Sequence, residues 1–195
     1  MARPSLRLIG ALRDTAARLE HADTVYRWSH FAHCNCGHLA QTITQLSPPV
    51  IYRAAMREVG DWGEQARTVG RTLALGPPDY ADRPALDEGA WQPPDVDHCP
   101  VANRSMDRIF GELFAWGLEP ADMGALERLS DSAVRRRLGT NTVDYAHGER
   151  RNVIAYLRAW ADLLEEQLGR DARASEHDAT SEAAYGDTSL PLAAE

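Results

Sequence analysis

Apolar residues along the chain recur at spacings of three and four, and no stretch of useful length alternates with the period of two that half-buried strands show. Pro4 and Ser5 open a first predicted helix with Leu8, Leu12, Ala16 and Leu19 on one face. Asp23 is placed to cap a second, whose stripe is Val25, Trp28, Ala32, Leu39 and Leu46 and which Pro48 and Pro49 end. Ile51, Ala55, Val59 and Trp62 carry the pattern on towards Leu75, where Gly60 and Gly63 favour one or two shorter helices over a single long one.

In the second half, Ser105 precedes a strongly amphipathic run, Met106, Ile109, Phe110, Leu113 and Phe114, closed by Gly117. Pro120 starts a short helix through Leu129, and Ser130 to Leu138 reads as another, closed by Gly139. The longest helix is expected from Asp144 to Leu168, with Val153, Leu157, Trp160, Leu164 and Leu168 on one face and Gly169 at its end. Periodicity is lost after Arg170. The sequence therefore predicts an all-α fold, a single-domain irregular bundle of six or seven helices over residues 1–169, with residues 170–195 as a disordered acidic tail.

Composition changes this picture mainly through where the charge lies. The net charge is −8 over 195 residues, of which 75–103 contribute −5 and 170–195 contribute −4, so the helical body is nearly neutral. Residues 76–104 are rich in proline, aspartate and glycine, and are expected to form one long acidic loop. Nothing resembles the basic face that a phosphate backbone requires, so no nucleic-acid partner is expected. No apolar run approaches the roughly 20 residues that span a bilayer, so no membrane partner is expected either. Three cysteines, two of them one residue apart, make a poor disulfide framework, and a reducing cytoplasm is the expected compartment.

One segment carries unusual chemistry. His30-Phe31-Ala32-His33-Cys34-Asn35-Cys36-Gly37-His38 holds three of the seven histidines and two of the three cysteines. Imidazole and thiolate are the ligands that zinc and other borderline metals prefer. On a continuous helix Cys34 shares a face with His30 and with His38, but the two histidines would stand about 12 Å apart, too far for one metal. A break at Asn35 to Gly37 instead puts Cys36 in the first turn of a new helix, where the helix N-terminus lowers a thiol pKa. The expected ligand set is His30, Cys34, Cys36, His38 and, from the acidic loop, Cys99, with His98 and His147 as further donors and zinc ahead of iron.

Two other readings stand beside the metal. One is a thiol enzyme or redox protein using Cys36, or Cys34 with Cys36, and a nearby histidine as base. The other is a helical interaction module in which Cys34 and Cys36 are ordinary buried residues. No Walker loop, Gly-x-Gly-x-x-Gly, Gly-x-Ser-x-Gly or Glu-x-x-His occurs, so nucleotide binding, serine hydrolysis and a ferritin-like di-iron site have no support.

Trp28-Ser29-His30 followed by Cys34-Asn35-Cys36-Gly37-His38-Leu39-Ala40-Gln41, together with the closing Tyr156-Leu157-Arg158-Ala159-Trp160-Ala161-Asp162-Leu163-Leu164-Glu165, resembles a group of bacterial hypothetical proteins. The resemblance implies one fold containing both segments. It brings no substrate, cofactor or catalytic residue.

Overall fold

The computed structural model describes residues 2–74, 106–140 and 146–185. Among them are eight helices and no strand: α1 (Leu6–Glu20), α2 (Asn35–Thr44), α3 (Pro48–Ala55), α4 (Trp62–Ala74), α5 (Met106–Ala115), α6 (Pro120–Arg128), α7 (Ser132–Arg137) and α8 (Arg150–Tyr185). The fold is all-α, as the periodicity predicts. The count exceeds six or seven because residues 48–74 divide into two helices at the turn before Trp62, where Gly60 has a positive φ of 95°. No described helix is long and apolar enough to cross a membrane.

Local chemistry sets most of the ends. Ser5 caps α1 by accepting from the Leu8 N–H, and Asp131 caps α7 by accepting from Ala133 and Val134. At α4 the caps are reciprocal: Asp61 Oδ1 accepts from the Glu64 N–H at 2.8 Å while Glu64 Oε2 accepts from the Asp61 N–H at 3.0 Å. Pro48 and Pro49 stand at the start of α3, where a missing N–H costs nothing. Gly117 and Gly139 take the positive φ that their helix-ending role requires.

Two expectations are corrected. No helix starts at Asp23: residues 21–34 are turns and irregular backbone, Val25 and Trp28 are exposed, and the helical stripe proposed for them does not exist. The chain leaves α1 at His21 in an extended conformation and must reverse to bring α2 against α1, which a helix through this segment would prevent. Nor does Gly169 end the last helix. α8 runs on to Tyr185, with Asp171 to Ser175 exposed. Glycine weakens a helix by roughly 1 kcal/mol and stops it only where a left-handed cap can form, and the following Arg170-Asp171-Ala172-Arg173-Ala174 has good helix formers. Residues 75–105, which include most of the expected acidic loop, and 186–195 lie outside the described residues.

α1 and α8 lie antiparallel, as their ion pairs show: Arg13 meets Asp162 and Glu165, while Arg158 meets Glu20. Their apolar stripes, Leu8, Leu12 and Leu19 on one and Val153, Leu157, Trp160 and Leu164 on the other, are buried. α2 is the central element, packed against α1, α3, α5 and α6, and eight of its ten residues are buried. α4 crosses α6 closely through glycine: a Cβ on Gly63 would come within 2.9 Å of Gly124 Cα. That approach puts the start of α4 beside the end of α6.

Candidate ligand pocket beside Cys34

The unusual segment sits where the start of α2, the start of α4 and the end of α6 meet. Cys34 is the N-cap of α2, its sulfur accepting from the Gly37 N–H at 3.5 Å and donating to the Phe31 carbonyl at 3.4 Å. Cys36 is in the first turn, as expected, but the helix does not break at Asn35 to Gly37: these residues form its first turn, and Cys34 is its cap in place of Asn35. Gly37 is required because residues 31–32 pass directly over it, and a Cβ there would overlap the Phe31 and Ala32 backbone.

The polar groups of the motif satisfy backbone. Asn35, fully buried, donates from Nδ2 to the Leu126 and Glu127 carbonyls at 3.1 and 3.0 Å, and its Oδ1 accepts from Tyr26 Oη at 2.7 Å. Those carbonyls belong to the last turn of α6, where the Leu129 N–H reaches only the Ala125 and Leu126 carbonyls, so Asn35 supplies donors that the helix end lacks. Trp28 Nε1 donates to the same Glu127 carbonyl at 3.3 Å, and Cys36 donates to the Met123 carbonyl at 3.4 Å. Trp62 Nε1 closes the ring of contacts by donating to Phe31 O at 3.0 Å.

The expected histidine ligands are held by other partners. His38 is held between Val25 O, at 3.1 Å from Nε2, and the Arg18 guanidinium, at 3.5 Å from Nδ1. Burial, then Arg18, pushes its pKa down to about 4, so the ring is neutral at pH 7. His30 Nδ1 accepts from the Ala32 N–H at 3.2 Å, which places the proton of the neutral ring on Nε2 and leaves no free lone pair for a metal in this arrangement. Its ring stacks on Tyr52, 4.5 Å away. His147 packs its ring against Trp28 at 4.6 Å. Among the described residues no three His, Cys, Asp or Glu side chains are grouped to hold a metal ion, and His98 and Cys99 lie outside the described residues.

The thiols also differ from expectation. Cys36 does occupy the first turn of α2, but it is fully buried and its pKa lies well above the ordinary thiol value. Burial pushes Cys34 up to about 12, with the Gly37 N–H opposing weakly. Desolvation of a thiolate outweighs the helix N-terminus here, and both groups are thiols at neutral pH.

Sequence reasoning did not single out the groups that face Cys34. A pocket of about 170 Å³ opens there, lined by Trp28, Ser29, Phe31, Cys34, Asp61, Trp62 and Glu127. Trp62 is fully buried, whereas Trp28 is 43% exposed and stands at the mouth. Glu127 Oε2 accepts from the Gly63 N–H at 3.3 Å, and the carboxyl forms no ion pair among the described residues. Burial, then Asp61, raises its pKa. Asp61 Oδ2 is paired with Arg128 at 2.9 Å. Asp61 and Glu64 had a readable signature in their capping-box spacing, but nothing local pairs Glu127 with Cys34.

No family model, no curated protein and no solved structure matches the chain.

Proposed function

We propose that this protein binds a small molecule in the pocket between Trp28, Phe31, Trp62 and Cys34. One observation carries the reading: aromatic side chains tied in place by their own hydrogen bonds enclose a space beside a half-buried carboxylate, Glu127, that has no ion pair among the described residues. Pockets with apolar walls and a few placed polar groups are the usual form of a ligand site. An apolar cavity of roughly 150 Å³ accommodates benzene, so the volume suits a ring or a head group of that size. Filling the pocket from its rim tests the reading. Ser29→Trp, on an exposed position at the rim, should abolish ligand-induced stabilisation while leaving the unliganded melting temperature within a few degrees. Unchanged ligand response would place binding elsewhere.

A zinc or iron centre is the second reading, supported by the two sulfurs lying within electrostatic reach of each other and of Glu127. It requires a further donor such as Cys99. Elemental analysis of protein purified without an affinity tag tests it: about one metal per chain, lost in both Cys34→Ser and Cys36→Ser, supports the centre. Metal-free protein retires it. The thiol-enzyme reading needs a thiolate, which burial of both sulfurs opposes.

A further inference from the structure

Resting on the pocket reading above, we infer that the ligand is a small organic monocation with an alkylammonium head, held against the Trp28, Phe31 and Trp62 side chains and balanced by Glu127. Charge counting at the site leads there. Glu127 and Asp61 face the pocket, Arg128 is the base paired to Asp61, and Cys34 is an uncharged thiol. Among the described residues one negative charge is left over, on a group already half-removed from water. A buried charge without a partner is costly, and a bound cation relieves that cost.

The walls decide what kind of cation. Calcium and similar ions need six or more oxygen ligands, and the pocket surface is mainly aromatic carbon and sulfur with two carboxylates on one side. Aromatic faces attract alkylammonium groups through the ring quadrupole, and tryptophan does so best. The indole N–H groups of both tryptophans point to backbone carbonyls, Trp28 to Glu127 O and Trp62 to Phe31 O, so neither ring is free to turn away. An anion would meet Glu127 directly and is excluded by repulsion.

Calorimetric titration of the full chain tests this with choline and with its uncharged isostere 3,3-dimethyl-1-butanol, at constant ionic strength. Choline should bind, and the isostere about tenfold or more weakly, since a desolvated cation–π contact alone is of that size. Glu127→Gln keeps an acceptor for the Gly63 N–H and should weaken choline binding several-fold, leaving the isostere's binding unchanged. Equal binding of choline and isostere to the native chain would overturn the cation and leave the pocket standing. Binding of neither up to millimolar concentration overturns both. An N-acetylated trimethyllysine amide is the third arm: either head group binding supports the assignment, and the tighter identifies whether the head arrives free or on a peptide.

Discussion

At the scale of single residues, the polar groups of the unusual segment are tied chiefly to backbone partners. Asn35 is the best example, because a fully buried amide demands partners. The sequence does not supply the answer locally, since the carbonyls of Leu126 and Glu127 are about ninety positions away. Asn35→Ala removes a donor from each of these carbonyls, leaving Trp28 Nε1 on Glu127 O and the Leu129 N–H on Leu126 O, and takes from Tyr26 Oη its 2.7 Å acceptor. It is expected to cost about 2 kcal/mol in urea unfolding, the scale for several lost buried hydrogen bonds; a loss below about 0.5 kcal/mol would mean the remaining partners and water replace the amide. His38 gives a pH signature. Its folded pKa of about 4 lies below the ordinary 6.5, so the unfolded chain binds the extra proton between these values. Stability is complete above pH 6.5 and falls by about 3 kcal/mol as pH drops to 4. His33, also lowered, chiefly by burial, acts in the same direction. Unfolding curves of the native chain and His38→Gln should converge towards acid pH; parallel curves would show that other groups set the acid limit. For the thiols, alkylation followed by peptide mass analysis at pH 7 should modify Cys34 and Cys36 only as fast as the chain opens. Rapid labelling of either would contradict its buried thiol state.

At the scale of elements, legibility follows the range of the cause. Capping residues, helix-starting prolines and αL glycines act within one turn, and the ends of α5, α6 and α7 fall within a few residues of expectation. The failure at residues 21–34 has the opposite character: an apolar spacing of helical form is present, but tertiary contacts hold the segment in turns. Arg150 donates to the Thr24 carbonyl, Val25 O meets His38, and Trp28 reaches the end of α6. Propensity is a weak prior against several such contacts. The α4–α6 crossing is a similar case, since Gly63 reads from sequence as a helix breaker and serves as a contact. Gly63→Ala would place a methyl 2.9 Å from Gly124 Cα. Although alanine favours a helix, the crossing must open, with an expected loss of about 2 kcal/mol. Because Asp61, Trp62 and Glu127 sit at that crossing, choline affinity should fall with it. A neutral or stabilising Gly63→Ala would show that the two helices have slack.

At the scale of the whole molecule, α8 shows where packing stops and helix continues. Its inward residues Val153, Leu157, Trp160, Ala161 and Leu164 are buried, Leu168 is the last apolar side chain packed on the core among the described residues, and Asp171 to Ser175 are exposed. A helix beyond its packed face has only propensity to sustain it, and short isolated helices are marginal in water. The residues after Arg170 carry six acids and one arginine with little apolar content, so they gain little by ordering against the body. Truncation after Arg170 should therefore melt within a few degrees of the full chain. Truncation after Leu163 removes Leu164 and Leu168 together with Glu165 and Glu166, which bind Arg13 on α1 and Arg137 on α7. The ion pairs are exposed and contribute at most about 1 kcal/mol each, but burying a leucine contributes about 2 kcal/mol. The shorter chain should lose most of its cooperative transition. If truncation after Arg170 already does so, residues beyond it pack on the body, and the single-domain boundary belongs further along the chain.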